Sequence, residues 1–284
     1  MNKRVKNILY ILLIFFFFSF IYYNNCKNIN TYKDNLMIHY IDVNQGDSAL
    51  IQYKNTNILV DGGTKENSKK LIKYLKENGV SSLDYIIATH PHDDHIGSLS
   101  EIVKNFKVKN FYGAKVTANT NSFKELVVML KKKNLKIRPI LAPFKLTLDD
   151  SVSLNFISPN KLKYDNLNNY SLVFSLNYND FSFLFTGDAE KEAEEEMIKN
   201  NYNLKCNILK LGHHGSNTST TKAFLEKCDP NIAIVSCALG NDYGHPNKDL
   251  INTLNKKNIK IYKTYKDGNI VFICNGKELK KYKK

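Results

Sequence analysis

The hydrophobic residues of this chain recur in short apolar runs that alternate with amphipathic stretches. Apolar runs bounded by glycine, asparagine or aspartate predict strands, and apolar residues at helical spacing predict helices. Leu71, Ile72 and Leu75 show the helical spacing in a segment that ends on Gly79. In the first half, strands are predicted at 36–43, 48–53, 57–63, 83–90 and near 108–112, and helices at 67–79, 98–105 and 121–133.

The second half of the chain repeats this alternation of strands and helices. Residues 170–188 predict a hairpin that turns at Asn179 and Asp180. Residues 189–201 predict a helix whose acidic first turn suits the helix dipole. Further strands are predicted at 206–216, 231–240, 259–264 and 269–274, with a helix near 247–256. Two strand-rich halves that both carry helices predict an α+β fold, with two sheets face to face and helices outside.

The N-terminus carries an uncharged apolar run over residues 8–23, which follows three basic residues and precedes no small-residue cleavage site. It predicts an uncleaved signal anchor helix instead of a buried core helix, because no polar face interrupts the run. The basic flank predicts an inner N-terminus, with the remainder of the protein at the cell membrane on its extracytoplasmic side. We therefore expect an anchor and linker over residues 1–35 and one domain over residues 36–284.

The charge of the chain favours polyanionic partners. The formal net charge is +14 at pH 7, from 41 lysines and arginines against 27 aspartates and glutamates. Nucleic acid, a teichoic-type polymer or anionic lipid would suit such a surface. The lysines form no single stripe, so a basic surface without such a partner is an equally good interpretation. The chain has no tryptophan and no aromatic-basic repeat, so sequence-specific reading of nucleic acid is not predicted. No specific protein partner is predicted either.

Candidate ligands for metal ions gather where apolar strands end, in loops that a rigid sheet can position. Six of the seven histidines lie in such loops, and residues 90–95 hold three histidines and two aspartates. Imidazole and carboxylate groups together suit zinc, manganese or iron. A lone histidine in a loop is more often a hydrogen-bonded structural residue, but this constellation favours metal binding. The candidates are His90, His92, Asp94, His95, Asp188, His213, His214 and His245.

The order of these motifs resembles the metallo-β-lactamase superfamily, whose signature is HxHxDH. Within that superfamily, the full set of motifs resembles the hydrolase domain of ComEC-type competence proteins. The matching motifs are "HPHDDH" (90–95), "TGD" (186–188), "LGHHGS" (211–216), "YGHP" (243–246), "DVNQGDSALI" (42–51) and "ILVDGG" (58–63). The resemblance covers residues 36–275. It implies a four-layer αββα sandwich with a dinuclear metal site at one edge.

The chain departs from that family in two respects. One apolar segment stands in place of a multi-span membrane domain, so DNA translocation is not expected of this chain alone. No histidine occurs between residues 96 and 212, where the superfamily usually has a ligand. Relatives with an HHG motif supply that ligand from the histidine pair, which assigns it here to His214.

These features predict two divalent ions, zinc or manganese. His90 and His92 lie two residues apart in an extended segment and point to the same side, before the chain turns. The expected ligands are His90, His92 and His214 for the first ion, Asp94, His95 and His245 for the second, and Asp188 as the bridge. Asp94 and His213 are the candidate catalytic residues, and a structural role for His213 is equally favoured. Asp61 and Asp47 are expected to orient ligands, Asp93 to face solvent, and Ser98 and Ser216 to form turns or caps.

Two adjacent ions can activate a bridging water and clamp both oxygens of a displacement. The resemblance therefore implies a membrane-anchored, metal-dependent phosphodiesterase, most simply a nuclease that acts on DNA. Two alternatives remain open. One is a phosphoesterase on a cell-wall polymer, as in phosphorylcholine esterases with the HHG motif. The other is a non-catalytic binding module that its metal stabilises.

Overall fold

A computed structural model describes residues 35–282, together with residues 5, 7, 10–17 and 19. Residues 10–17 are helical and largely exposed. Across these described residues, none of the helices is both long enough and apolar enough to span a membrane. Apart from residues 10–17 and 19, the anchor predicted at 8–23 lies outside the described residues, as does the linker up to residue 34. The anchor therefore stays a prediction.

The main body contains two sheets. Their strands are β1 Leu36–Tyr40, β2 Ala49–Tyr53, β3 Thr56–Val60, β4 Ser82–Ala88, β5 Lys107–Gly113, β6 Ile137–Pro139, β7 Phe144–Thr147, β8 Val152–Ser158, β9 Val173–Tyr178, β10 Phe181–Phe185, β11 Ile208–Lys210, β12 Ile232–Val235, β13 Lys260–Lys263, β14 Ile270–Cys274 and β15 Leu279–Tyr282. The first sheet has the order β15-β14-β1-β2-β3-β4-β5-β6, and the second has the order β13-β12-β11-β10-β9-β8-β7.

Helices connect the strands of the two sheets. They are α1 Ser68–Glu77, α2 Asp93–Ile96, α3 Leu99–Asn105, α4 Asn121–Lys132, α5 Lys191–Lys199, α6 Lys222–Cys228, α7 Lys248–Lys256 and α8 Thr264–Asp267, with short 3₁₀ turns at Lys65–Asn67, Leu167–Tyr170 and Gly212–Gly215. Helices α1 to α7 connect parallel strands within each sheet, and α8 joins the second sheet to the first. Strands β10, β11, β12 and β13 run parallel to one another. Their carboxyl ends, and the loops that follow, therefore meet at one edge of the second sheet.

The packing confirms four layers. One core cluster fills the space between the sheets, and in it Tyr40 of the first sheet stacks on Phe185 of the second, with ring centroids 5.6 Å apart. A second cluster packs α1, α3 and α4 against the outer face of the first sheet. A third packs α5, α6 and α7 against the outer face of the second. The apolar stripes of these helices are buried in this way, as the periodicity predicts.

Several predicted elements differ from the structure in extent. The strand predicted over 206–216 ends at Lys210, because His213 and His214 adopt left-handed backbone conformations with φ of 47° and 56°. The strand predicted over 231–240 ends at Val235. Four strands, β6, β7, β8 and β15, were not predicted from the pattern.

Candidate metal centre

The first group of site residues follows β4. After Ala88 the chain bends at His90 and Pro91, is extended at His92 with φ and ψ of −77° and 149°, and then enters α2 at Asp93. His90 and His95 are buried, with exposures of 1% and 0%. The rings of His90 and His92 lie next to each other, with His90 Nε2 3.0 Å from His92 Nδ1. This is the pairing that the HxH spacing predicts.

Asp188 follows β10 and is held by a tight turn. Gly187 has a φ of 51°, and a Cβ there would lie 3.0 Å from the Cβ of Thr89 and 3.0 Å from the Oγ of Ser171. The amide of Asp188 donates a hydrogen bond to Ser171 Oγ at 3.0 Å. Thr186 Oγ1 donates to the carbonyl of Lys210 at 2.7 Å, which ties this turn to the end of β11. The carboxylate of Asp188 is thereby fixed among the histidines.

Asp188 is shared by two groups of candidate ligands whose atoms lie within 4.8 Å of one another. The groups are His90, His92 and Asp188, and Asp47, His95, Asp188 and His214. Oδ2 of Asp188 lies 3.8 Å from His90 Nε2 and 3.4 Å from His214 Nε2. Oδ1 of Asp188 lies 3.2 Å from His95 Nε2. This shared position agrees with the bridging role predicted for Asp188.

Two unsatisfied atoms test whether cations fit here. His95 Nε2 and Asp188 Oδ1 are buried and have no hydrogen-bond partner in the described part of the chain, although they lie close together. Buried polar groups normally have hydrogen-bond partners, and a divalent cation would satisfy both of these atoms at once. Imidazole nitrogen and carboxylate oxygen are also the donor types that zinc and manganese accept. The residues present therefore fit divalent cations.

His214 occupies a different group from the one predicted. Its Nδ1 faces the carbonyl of Ser236 at 2.9 Å, which turns Nε2 towards Asp94 Oδ2 at 3.1 Å and towards Asp188. The structure thus places His214 with Asp94 and His95, whereas the prediction groups it with His90 and His92; which ion His214 binds stays a prediction. The placement follows from the left-handed turn of the HHG segment, which sets the direction of the ring.

His245 lies at the margin of the centre and in neither group. Its ring centroid is 5.3 Å from that of His213 and 6.3 Å from that of His214. Burial, followed by the nearby His213 and His214, lowers the pKa of His245 to about 4. The candidate groups do not include His245, so its predicted grouping with Asp94 and His95 stays a prediction.

Asp61 orients His95 as predicted. Its Oδ2 lies 2.8 Å from His95 Nδ1, and its two oxygens accept hydrogen bonds from the amide and hydroxyl of Thr89 at 2.8 and 2.7 Å. This contact leaves Nε2 of His95 directed at Asp188. Burial alone would lower the pKa of His95, but the carboxylates of Asp188, Asp61 and Asp94 together raise it well above its usual value.

Asp47 also contacts a histidine, through a buried ion pair that the sequence did not reveal. Lys210 is 3% exposed, and its Nζ lies 2.9 Å from Asp47 Oδ2 and donates to the carbonyl of Leu211 at 2.9 Å. The other oxygen of Asp47 lies 3.3 Å from His214 Nδ1. Although burial raises the pKa of Asp47, Lys210 and His214 lower it overall. Because Asp47 sits on the Nδ1 side of the ring and Asp94 on the Nε2 side, we interpret Asp47 as a positioning residue and Asp94 as the ligand.

His213 lies at the opening of the site. Its Nδ1 is 3.1 Å from Glu190 Oε1 and 3.3 Å from Thr218 Oγ1, and its Nε2 is 3.8 Å from Asp188 Oδ2. The side chain is 25% exposed, so a substrate can reach it. The arrangement can present an N–H to an anion bound beside Asp188.

The remaining predicted residues have the structural roles expected of them. Asp93 is exposed to solvent. Ser98 precedes α3 and donates a hydrogen bond from Oγ to the carbonyl of Thr64 at 2.6 Å. Ser216 ends the HHG turn and accepts a hydrogen bond from the amide of Thr218 at 3.2 Å. The turn interpretation is confirmed for Ser216, whereas Ser98 occupies the N-cap position of α3 without making a side-chain capping hydrogen bond.

Comparison with known proteins agrees with this geometry. Residues 41–238 match the model of the metallo-β-lactamase superfamily. ComE operon protein 3 of Bacillus subtilis is 30% identical over 250 residues, which is 82% of this chain and 32% of that protein. Competence protein ComA of Neisseria gonorrhoeae is 28% identical over 233 residues, or 81% of this chain and 31% of that protein. The chain spans about a third of the length of these relatives.

A solved structure supports the fold independently. The metallo-β-lactamase fold protein YhfI of Bacillus subtilis superposes with a TM-score of 0.55 at 13% identity, and covers 81% of this chain and 96% of its own. At that identity the likeness concerns the fold alone. Together with the HxHxDH segment and the shared Asp188, these matches confirm the resemblance drawn from the motifs. The chain belongs to the metallo-β-lactamase superfamily.

Proposed function

We propose that this chain is a metal-dependent phosphodiesterase that hydrolyses DNA. The observation that carries the proposal is the pair of ligand groups that share Asp188. His90, His92 and Asp188 would hold one divalent ion, and Asp94, His95, His214 and Asp188 the other. Bound zinc or manganese would supply an activated water and charge stabilisation for the displacement.

The chain's own side chains supply orientation around that chemistry. Glu190 Oε1 accepts a hydrogen bond from Nδ1 of His213. In the imidazolium form of His213, Nε2 can also donate a hydrogen bond to a non-bridging phosphate oxygen or a proton to the leaving oxygen. Asp61 and the Asp47–Lys210 pair hold His95 and His214 in place. The choice of DNA rests on two further points: the relatives are competence proteins, and the net charge of +14 suits a polyanion.

We also propose that residues 8–23 anchor the chain in the cell membrane, with the hydrolase domain outside the cytoplasm. Supporting this, the described helical residues 10–17 expose large apolar side chains, among them Phe15 at 69% and Phe16 at 73%. Fractionation of cells, followed by protease treatment of intact cells, tests the anchor and the orientation together.

The test of activity uses the full chain in detergent, stripped of metal with a chelator and reloaded with zinc or manganese. Labelled DNA and bis-p-nitrophenyl phosphate are the substrates, and the metal-free protein is the control. We expect metal-dependent cleavage of both. If the protein cleaved a phosphorylcholine ester but left DNA uncleaved, the DNA assignment would be refuted and a cell-wall phosphoester would be favoured as the substrate. Metal binding without turnover of any phosphoester would instead indicate the non-catalytic binding module.

A further inference from the structure

An exposed tyrosine stands at the edge of the candidate metal centre. Tyr243 is 70% exposed, which is unusual for so large an aromatic side chain. One face of its ring stacks on His245, with centroids 5.7 Å apart and planes inclined at 24°. The exposure leaves the opposite face of the ring in solvent.

The loop around Tyr243 is held rigid by one side chain. Asn241 Nδ2 donates to the carbonyls of Ala238 and His245, at 2.9 and 2.6 Å. Asn241 Oδ1 accepts from the amides of Tyr243 and His245, at 3.2 and 3.0 Å. Such a network fixes a short loop in one conformation. The hydrogen bonds of the loop therefore hold Tyr243 in a solvent-exposed position.

The same loop is joined to the metal-binding segments. The amide of Asn247 donates to the carbonyl of Gly215 in the HHG turn at 2.8 Å. The amide of Ala238 donates to Gln45 Oε1 at 3.2 Å, from the loop that also carries Asp47. The ring of His245 then lies between Tyr243 and His213, whose Nε2 faces Asp188. An aromatic face is thus held one ring away from the position proposed for the phosphate.

From this arrangement we infer that Tyr243 stacks against a base of the substrate, and that the substrate is single-stranded DNA. The inference rests on the proposed phosphodiesterase activity and adds a substrate class to it. A flat aromatic face beside a phosphate-binding position is how proteins hold single strands without reading their sequence. In a duplex both faces of a base are covered by its neighbours, so Tyr243 can stack only on an unpaired or terminal base.

The test measures binding apart from catalysis. Fluorescence anisotropy gives the Kd of the full chain, in detergent with chelator, for a labelled oligothymidylate and for an abasic oligonucleotide of the same length. The two probes carry the same phosphates and differ in the base. We expect the oligothymidylate to bind more tightly by about 5- to 100-fold, in line with the usual contribution of one stacked base. A duplex of the same length should bind more weakly than the single strand.

Three variants separate stacking from a general effect on the loop. Tyr243→Ser should remove the preference for the oligothymidylate and leave the Kd of the abasic probe unchanged, whereas Tyr243→Phe should keep the preference. Leu239→Ser is the matched control, because Leu239 is 77% exposed in the preceding part of the same loop and should not stack. Equal Kd values of the wild-type chain for both probes, including no measurable binding of either, would overturn the inference.

The outcomes also distinguish this inference from the proposed function. If the Kd depended on the base but the metal-reloaded protein left DNA uncleaved, the phosphodiesterase proposal would be refuted and the stacking role of Tyr243 would stand. If the protein cleaved DNA normally but its Kd showed no base preference, the stacking role would be refuted and the phosphodiesterase proposal would stand. Binding of phosphocholine that Tyr243→Ser abolishes, without any preference for the oligothymidylate, would show that the tyrosine holds a quaternary ammonium and would overturn the assignment of a base.

Discussion

Replacement of Lys210 by methionine should destabilise the fold strongly, because it removes the partner of a buried carboxylate. Lys210 and Asp47 are 3% and 7% exposed, and their charged atoms lie 2.9 Å apart. At an effective dielectric constant of ~20 their attraction is about 6 kcal/mol before desolvation is counted. Methionine fills much of the same volume, so lost packing contributes little. The dominant effect is a carboxylate left in the interior without its cation.

Breaking one partner of a buried ion pair costs about 3–5 kcal/mol. For a domain of this size, each kcal/mol lowers Tm by ~2–4 °C, so Lys210→Met should lower Tm by about 6–20 °C. Thermal unfolding followed by far-ultraviolet circular dichroism, with chelator present, measures the effect without any contribution from metal. The double variant Lys210→Met/Asp47→Leu should recover part of the loss, because it removes both charges. A loss below ~1 kcal/mol, or a double variant less stable than Lys210→Met, would show that the pair does not behave as a buried one.

Three further changes test other parts of the structure. Asp188→Ala should remove metal from both groups and lower activity by at least about 100-fold, whereas the exposed Asp93→Ala should be nearly silent; metal analysis and turnover measure both. Gly187→Ala should destabilise by about 1–3 kcal/mol in urea unfolding, because of its positive φ and the atoms around its missing Cβ. Asp149 has its pKa lowered to about 2, despite some burial, by Lys54 and backbone amides. Because the folded pKa is depressed, its contribution of about 1 kcal/mol is full above pH ~4 and lost as pH falls towards ~2. In urea unfolding measured across a pH series, Asp149→Asn should therefore be less stable than wild type at neutral pH but not at the acidic end of the series. Asp150→Asn, at an exposed position, is the control.

The periodicity of the chain was sufficient to predict most of the buried strands and the amphipathic helices. Strand β4 and the loop that follows it were readable because an apolar run leads directly into HPHDDH. Strand β8 could also have been found, since its buried Val152, Leu154 and Phe156 alternate with partly exposed residues. Strand β7, at Phe144–Thr147, carries no such signal because it is a largely exposed edge strand.

The identity of the site residues was predictable, but their grouping was not. The direction of the His214 ring depends on a left-handed backbone and on the carbonyl of Ser236, which is remote in the sequence. Local spacing carries no information on either. Lys210 likewise reads as an ordinary strand lysine, and it is buried only because Asp47 reaches it from the loop between β1 and β2 of the other sheet. Such contacts between the two halves emerge only on folding.

The shared carboxylate lies at the seam between the two sheets. His90, His92, Asp94 and His95 follow a strand of the first sheet, whereas Asp188 and His214 follow strands of the second. Any cation bound by both sets cross-links the two halves of the chain, and the unfolded chain cannot reproduce that geometry. Binding of the ion then raises the free energy of unfolding, by ~2.7 kcal/mol when the free ion is at about 100 times its Kd. The supply of metal would set how long the folded protein persists, as well as how fast it works.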